Sequence, residues 1–391
     1  MYKNYFIVFL LIVSFPCKAQ FNAGSINAEK FYTELPFEYE HDKIVVEATM
    51  NGVKGRYLLD TGAMCILFKD STEQELDVIQ VMNVGDASGK KQKAEVVRLP
   101  IIEIGSLKYA NIPALYVNEF AGPFKCLGYK GLIGSNLLRF GAFKIDWDQQ
   151  IIIIADSFQS IGCKVDDGVK MHVNKQQSSP FAKVKVNDKN IKWVLIDTGS
   201  GDSFSLHNQT AAWLQKKNKI DAPDYISSGA NSHGAWGASE HETQIFGNVN
   251  VMVGNANFSK LAVETASGQS KIGMKLLKHT NFVLDYPQKR FFFNVECNKP
   301  LSLNSFGLDL IMKDDQFIVN GVWKGTKAER LGIERGDVLE DIEGVDFKDA
   351  SACEVFLTLK DQTQHQDEIT FVFRKPDEKE YKKVRLQRLK F

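Results

Sequence analysis

The fold prediction starts from two short stretches, Leu58-Leu59-Asp60-Thr61-Gly62 and Leu195-Ile196-Asp197-Thr198-Gly199. Each places an Asp-Thr-Gly triplet at the end of an apolar run that is typical of a buried strand. The two aspartates are 137 residues apart. One triplet would be a weak signal, because short motifs recur by chance. Two triplets in the same local context predict a duplicated site that brings two carboxylates together.

The sequences that follow the two triplets repeat as well. Residues 132–138 (Leu-Ile-Gly-Ser-Asn-Leu-Leu) correspond at an offset of 139 to residues 271–277 (Lys-Ile-Gly-Met-Lys-Leu-Leu). Residues 143–147 correspond to residues 282–286 at the same offset. A repeat of this length is a whole lobe rather than a short repeat unit.

Both copies are predicted to be mainly β. Each opens with two alternating runs joined by a turn signal, Asn-Gly at 51–52 and Asn-Asp at 187–188, which predicts a hairpin. Short β-branched and aromatic runs broken by glycine follow, and helical patterns are brief, as at 135–140 and 210–217.

Residues 1–19 have the pattern of a secretory signal. Lys3 precedes an apolar stretch from Phe6 to Phe15, and small residues end at Ala19. The apolar stretch is too short for a spanning helix. We therefore expect an exported protein, periplasmic or extracellular, with no membrane span after signal removal. An anchored start and a lipid anchor on Cys17 are the alternatives.

The charge balance gives no reason to expect nucleic acid or an anionic membrane as partner. Lys and Arg total 48 against 48 Asp and Glu, and removal of residues 1–19 leaves 46 against 48. The histidines lack metal-ligand spacing, so we expect neither metal nor cofactor. The remaining cysteines, which could form one or two disulfides or stay as buried thiols, are Cys65, Cys126, Cys163, Cys297 and Cys353.

The paired triplets, each followed by a hydrophobic-hydrophobic-glycine sequence, resemble the pepsin and retropepsin class of aspartic proteases over about residues 37–296. Two lobes in one chain resemble the pepsin arrangement, while each lobe resembles the smaller retropepsin kind. The second copy departs from the pattern at Lys271, where the first has Leu132. The resemblance implies an endopeptidase that acts on a polypeptide, with Asp60 and Asp197 as catalytic residues.

The chemistry explains these residue types. Two carboxylates within hydrogen-bond reach share one proton, so one acts as a base toward water while the other polarises the scissile carbonyl. The sequence does not fix which aspartate takes which part, because the pair titrates as a unit. Gly62 and Gly199 let the two loops approach without Cβ clashes. The resemblance implies that Thr61 and Thr198 hydrogen-bond across to the opposite loop.

The residue after each triplet differs, Ala63 in the first copy and Ser200 in the second. A hydroxyl at this position can donate to the neighbouring carboxylate and favour its charged form. We therefore hypothesise that this dyad keeps its shared proton to higher pH than one with two such hydroxyls. The resemblance also implies that Gly134 and Gly273 lie in strands behind the catalytic loops.

Two glycine-rich turns are candidates for covering hairpins, or flaps, that exclude water and hold substrate. The first, at residues 85–89, contains Asp86, Ala87 and Ser88. The second, at residues 229–237, contains His233 and Trp236. Ordinary surface loops are the alternative for both.

After residue 298 the repeat does not recur. Residues 328–339 (Ala-Glu-Arg-Leu-Gly-Ile-Glu-Arg-Gly-Asp-Val-Leu) are similar to a motif of bacterial PDZ domains. That resemblance implies that Phe306, Gly307 and Leu308 form a loop whose N–H groups receive the C-terminal carboxylate of a peptide ligand, beside an edge strand. A PDZ fold without a working carboxylate pocket is the alternative.

The predicted fold is thus mainly β. It has two pseudo-symmetric retropepsin-like β-barrel lobes, at residues 20–158 and 159–298, with the active site between them. A C-terminal α+β PDZ domain follows at residues 299–391. The rival interpretation is a non-catalytic peptide-binding protein on a protease fold, and a self-processing or chaperone-like factor is a third.

Overall fold

The computed structural model of the chain describes residues 21–118, 122–163, 168–234, 236–295 and 305–389. The predicted signal at residues 1–19 lies outside these ranges. Within them the chain is mainly β, as predicted, and its helices are short. None of the helices in these ranges has the length and apolar character needed to span a membrane.

The elements up to residue 155 form the framework around the first triplet. They are β1 (Ser25–Ile26), β2 (Tyr32–Pro36), β3 (Glu38–Glu40), β4 (Lys43–Met50), β5 (Val53–Asp60), β6 (Ile66–Phe68), β7 (Val78–Gly85), β8 (Lys91–Ile104), β9 (Leu107–Val117), β10 (Gly131–Gly134), α1 (Ser135–Leu138), β11 (Ala142–Asp146) and β12 (Ile151–Ala155).

The first sheet is built around the predicted hairpin of β4 and β5. Asn51 and Gly52 both have positive φ values, 47° and 83°, as a tight two-residue turn of this kind requires. The sheet order is β1-β9-β6-β10-β5-β4-β8-β7, and β3 also pairs with β4. In this order β10 runs parallel to β5 and places Gly134 beside Asp60.

The elements from residue 169 to residue 295 form the framework around the second triplet. They are β13 (Val169–Lys170), β14 (His172–Val173), β15 (Pro180–Val186), β16 (Lys189–Ile196), β17 (Phe204–His207), α2 (Asn208–Lys216), β18 (Tyr225–Gly234), β19 (Gly237–Val253), β20 (Ala256–Ala266), β21 (Lys271–Ile272), α3 (Met274–Leu277), β22 (Thr280–Asp285) and β23 (Arg290–Val295).

The second sheet has the order β14-β15-β16-β21-β17-β20-β19-β18. Its hairpin of β15 and β16 turns at Asn187 and Asp188, which again have positive φ values of 43° and 78°. Here β21 runs parallel to β16 and pairs Lys271 with Leu195. In the first sheet the equivalent pair is Leu132 with Leu58, so Lys271 and Leu132 hold matching positions beside the two triplets.

A third sheet joins the two parts of the chain. Its order is β13-β23-β22-β11-β12-β2, in which β11 of the first part pairs antiparallel with β22 of the second. The rings of Phe143 and Phe282 meet there, with centroids 6.0 Å apart. One hydrophobic core runs continuously from the first part to the second, so the two triplets are held by a single packed body.

The C-terminal residues form a separate sheet of the order β24-β25-β26-β28-β29, with β27 paired to β26. The elements are β24 (Leu308–Lys313), β25 (Gln316–Val322), α4 (Lys327–Arg330), β26 (Val338–Ile342), β27 (Val345–Asp346), α5 (Ala352–His365), β28 (Glu368–Arg374) and β29 (Tyr381–Gln387). Ser351 and Glu354 form a reciprocal capping box that fixes the start of α5.

This sheet is attached to both other parts of the chain. A disulfide joins Cys126 to Cys353 at the start of α5, which settles a pairing that the sequence leaves open, while Cys65 is a buried thiol. On the other side, Lys324 N donates to Ile226 O at 2.9 Å. The C-terminal sheet is thus tied to the framework of both triplets.

Candidate active site

The two aspartates stand at equivalent strand ends. Asp60 is the last residue of β5, and Asp197 directly follows β16. A Cβ added at Gly134 would lie 2.2 Å from the carbonyl carbon of Met64, and one added at Gly273 would lie 2.4 Å from Asp202 O. Only glycine therefore fits where these two segments pass behind the triplet loops.

The two threonines exchange hydrogen bonds across the triplets. Thr61 N donates to Thr198 Oγ1 and Thr198 N donates to Thr61 Oγ1, each at 3.0 Å. Each hydroxyl also donates onward, Thr61 to Ile196 O at 2.6 Å and Thr198 to Leu59 O at 2.9 Å. Both side chains are fully buried. The two loops are therefore locked to each other by four hydrogen bonds between buried groups.

Each carboxylate lies against the glycine of the other triplet. A Cβ added at Gly62 would be 2.7 Å from Asp197 Oδ1, and one added at Gly199 would be 2.2 Å from Asp60 Cγ. Asp60 Oδ1 accepts from Gly62 N at 2.7 Å and from Ala63 N at 3.1 Å. Asp197 Oδ1 accepts from Gly199 N at 3.0 Å. The loops therefore present both carboxylates to one small space.

Burial and mutual repulsion favour a shared proton. Burial raises the pKa of Asp60 to about 7, with the charge of Asp197 adding to it, against the opposing effect of the Gly62 N–H and of Lys43. Burial also raises the pKa of Asp197, but Lys271 and Lys43 oppose that rise. Two carboxylates in this setting do not both ionise near neutral pH.

The hydroxyl of Ser200, which the sequence interpretation considered as a donor to the neighbouring carboxylate, has a hydrogen bond within its own loop. Ser200 Oγ accepts from Asp202 N at 3.3 Å. Serine side chains often accept from the backbone N–H two residues on, and this local bond holds the Ser200 side chain in its loop. At the matching position of the first loop, Ala63 contributes its backbone N–H to Asp60.

Two lysines lie close to the second triplet. Lys43, the buried first residue of β4, donates from Nζ to Gly199 O. Lys271 Nζ lies 3.1 Å from Asp202 Oδ2. The sequence interpretation missed Lys43, for which the only signal is a charged residue at the start of an apolar run. It noted Lys271 only as a departure from a pattern.

The first triplet has neutral neighbours at the matching place. Gly62 O accepts from Gln177 Nε2 at 2.9 Å and from Ser179 Oγ at 3.2 Å. The segment that carries these two residues precedes β15, just as Lys43 begins β4. No feature of the sequence pointed to Gln177 or Ser179.

The tips of the two candidate flaps contact each other. Asp86 Oδ1 accepts from Ser88 N at 2.9 Å and Ser88 Oγ at 2.7 Å, which shapes the turn between β7 and β8. Asp86 Oδ2 accepts from Trp236 N at 2.8 Å, in the turn between β18 and β19. A Cβ added at Gly268 would lie 3.0 Å from Ala87 O. The side chain of His233 lies outside the described residues.

The predicted carboxylate-binding loop lies in the C-terminal sheet, apart from the dyad. Phe306 and Leu308 are buried, and the ring of Phe306 contacts that of Phe371 with centroids 5.9 Å apart. Gly307 has a φ of 88°, and its carbonyl accepts from Trp323 N at 3.0 Å. The loop is thus fixed to the segment that follows β25.

Comparison with known proteins gives a family match for one part of the chain. Residues 46–137 match a family model described as aspartyl protease. A retropepsin-like aspartic protease from Rickettsia conorii matches with 21% identity over 34% of this chain and 95% of that chain, at a TM-score of 0.23. No curated protein matches this chain. The family match contains Asp60 and ends before Asp197, and it supports a relationship of this part of the chain to the aspartyl proteases, which are hydrolases.

Proposed function

We propose that the chain is an aspartic endopeptidase that hydrolyses peptide bonds of a polypeptide, with Asp60 and Asp197 as its catalytic pair. The observation that carries this proposal is the placement of each carboxylate against the glycine of the opposite triplet. The reciprocal threonine hydrogen bonds support it, because they fix that placement without occupying the carboxylates.

The reaction follows from the shared proton. The ionised carboxylate takes a proton from a water molecule, whose oxygen attacks the scissile carbonyl carbon. The protonated carboxyl donates to the carbonyl oxygen as negative charge develops there. Since the two loops are locked together in the folded chain, little reorganisation is needed when substrate arrives.

We propose that the two hairpin tips act as flaps. The hydrogen bond from Trp236 N to Asp86 Oδ2 connects the two tips directly and does not involve the triplets. Met82, Val84 and Trp236 pack, partly buried, against the hydrophobic cluster that includes Met64 and Ile66. A substrate that enters beneath joined tips is shielded from water during the reaction.

The domain organisation is part of the proposal. We assign the two lobes to residues 20–158 and 159–298 and a PDZ domain to residues 299–391, and we propose that residues 1–19 direct export to the periplasm or beyond the cell. The end position of β24 in its sheet supports the PDZ assignment, because an extended peptide can add to an edge strand. Val355 and Phe356 of α5 lie in one hydrophobic cluster with Leu308.

The proposed function is tested with the chain from residue 20 and its Asp60→Asn and Asp197→Asn variants. Wild type is expected to cleave a panel of denatured proteins, and each variant to lose activity by about 10³-fold or more, because the base or the acid is removed. A statine-type transition-state mimic should inhibit the wild type.

If wild type and both variants cleave the panel equally poorly, the non-catalytic peptide-binding alternative is favoured. The PDZ assignment has its own test in the full chain. Peptides with a free C-terminal carboxylate should bind, while the same peptides with an amidated C-terminus should not, because the loop N–H groups receive the carboxylate. Equal binding of both peptide forms would contradict the carboxylate-binding role of Phe306, Gly307 and Leu308.

A further inference from the structure

The two triplets differ in what holds their glycine carbonyls. Gly62 O accepts from the neutral side chains of Gln177 and Ser179. Gly199 O accepts from the ammonium group of Lys43. Gly199 N also donates to Asp197 Oδ1 at 3.0 Å. The ammonium group of Lys43 therefore binds the same residue whose N–H group binds the second catalytic carboxylate.

Lys43 is held in this position by the packing around it. It is buried, and a Cβ added at Gly201 would lie 3.8 Å from its Nζ. Burial lowers the pKa of Lys43, while the charges of Asp197 and Asp60 oppose that effect. A buried ammonium group is retained where nearby anions compensate for its lost hydration.

A second cation approaches from the strand behind the loop. Lys271 replaces, in matching register, the Leu132 of the first half. Its Nζ lies 3.1 Å from Asp202 Oδ2, and Asp202 is further held by Ser205 Oγ at 2.9 Å. This ion pair fixes the loop that leaves the second triplet and keeps a cation on its side of the dyad.

The charges that face this region come from several elements. Burial raises the pKa of Asp197. The charges of Lys271 and Lys43 oppose that rise, whereas the charge of Asp202 adds to it. Lys275 Nζ lies 3.9 Å from Asp42 Oδ2. Lys360 of α5 also interacts electrostatically with Asp42. Among the described residues, the charged and titratable groups around the dyad include Asp42, Lys43, Asp60, Asp197, Asp202, Glu264, Lys271, Lys275, Tyr286 and Lys360.

We propose that Lys43 and Lys271 are positioning residues that make the dyad asymmetric, so that Asp60 carries the shared proton and Asp197 is the base. This inference rests on the proposed endopeptidase function. It assigns roles that the sequence leaves open, because in a symmetric pair the two aspartates would be interchangeable.

The proton movements follow from this assignment. Asp197 takes a proton from water as the water oxygen bonds to the carbonyl carbon. The π electron pair of the C=O bond moves to the carbonyl oxygen, which takes the proton of Asp60. The tetrahedral intermediate then collapses. Asp197 gives its proton to the amide nitrogen, the C–N bond breaks toward nitrogen, and Asp60 recovers a proton from a hydroxyl of the intermediate.

The test measures kcat and KM against pH for Lys271→Leu, Lys43→Met and Asp202→Asn. Lys271→Leu copies the residue of the first half. Loss of either cation raises the pKa of the base, so the acid limb of kcat should move to higher pH by about one unit. Asp202→Asn removes an anion and should move the acid limb to lower pH. KM should change little, and Lys271→Arg and Lys43→Arg should restore the wild-type limb.

The opposite signs separate electrostatics from misfolding, since a purely structural defect lowers activity at every pH. Asp202→Asn and the two arginine variants keep the test usable if the leucine or methionine variant unfolds. The inference is overturned if the acid limb stays fixed, or if the lysine and aspartate variants move it in the same direction. Wild type without dyad-dependent cleavage would instead overturn the proposed function, and this inference with it.

Discussion

The loops that follow Asp60 and Asp197 make the same hydrogen bonds to each other but meet different charges. The threonine exchange is reciprocal, with equal distances in both directions. The contacts to the glycine carbonyls are not equivalent, because amide and hydroxyl groups serve Gly62 and an ammonium group serves Gly199. Two loops that make the same hydrogen bonds to each other can therefore differ in electrostatics, because the side chains around them differ.

Among the changes that compare the two loops without replacing an aspartate, a methyl group added between the loops should have the largest effect. Gly199→Ala should reduce kcat/KM by about 10²-fold or more, because the added Cβ would lie 2.2 Å from Asp60 Cγ and displace the carboxylate. Gly62→Ala should reduce kcat/KM by a smaller factor, because its added Cβ would lie 2.7 Å from Asp197 Oδ1, which is a less severe overlap. Cleavage assays measure the loss, and thermal unfolding controls for folding. Wild-type activity in Gly199→Ala would contradict the close contact between Gly199 and the Asp60 carboxylate.

The threonine network should respond equally on both sides. Thr61→Val and Thr198→Val each leave a buried N–H and a buried carbonyl without a partner, so each should destabilise the fold by about 2–4 kcal/mol. The double variant should cost less than the sum, because the groups belong to one network. Urea unfolding measures these values. A clear inequality between the single variants would mean that the two loops differ in backbone support as well as in charge.

A smaller effect concerns stability and pH. The folded state holds the pKa of Asp60 at about 7, above its ordinary value of 3.8. Between these values the folded chain binds more protons than the unfolded chain, so stability falls as pH rises through this interval. Asp60→Asn removes the titration and should flatten the curve, with a gain over wild type near neutral pH. Urea unfolding across the interval measures this, and the two proteins should respond alike to pH below about 3.8. If the stabilities of wild type and Asp60→Asn changed in parallel with pH throughout, Asp60 would not be the group that carries the shared proton.

The smallest expected effect is that of Gln177→Leu. Gly62 O keeps Ser179 as a donor, so the free energy of unfolding should change by less than about 1 kcal/mol. Because an uncharged amide is removed, the acid limb of kcat should stay in place, in contrast to Lys43→Met. The same pH series measures both variants. If the acid limb moved as far in Gln177→Leu as in Lys43→Met, the charge of Lys43 would not distinguish the second loop from the first.

Local signals in the sequence account for most of the strand and turn predictions. The Asn51-Gly52 and Asn187-Asp188 turns form hairpins as expected, because positive φ values are a local property of these residues. The mainly β character followed from alternating and β-branched runs. Ser200 shows the limit of such reasoning, since the sequence does not show that its hydroxyl oxygen accepts from Asp202 N, which depends on the geometry of the loop.

Local sequence features were enough to predict the two Asp-Thr-Gly turns and the strands that lead into them. These features depend on periodicity and on backbone freedom, which are readable within a few residues. The contacts of Lys43 with Gly199, of Lys271 with Asp202 and of Cys126 with Cys353 became visible only in the folded chain. These contacts link residues far apart in the chain, or depend on which way a buried side chain points, and both are set by the packing of the whole body rather than by neighbouring residues.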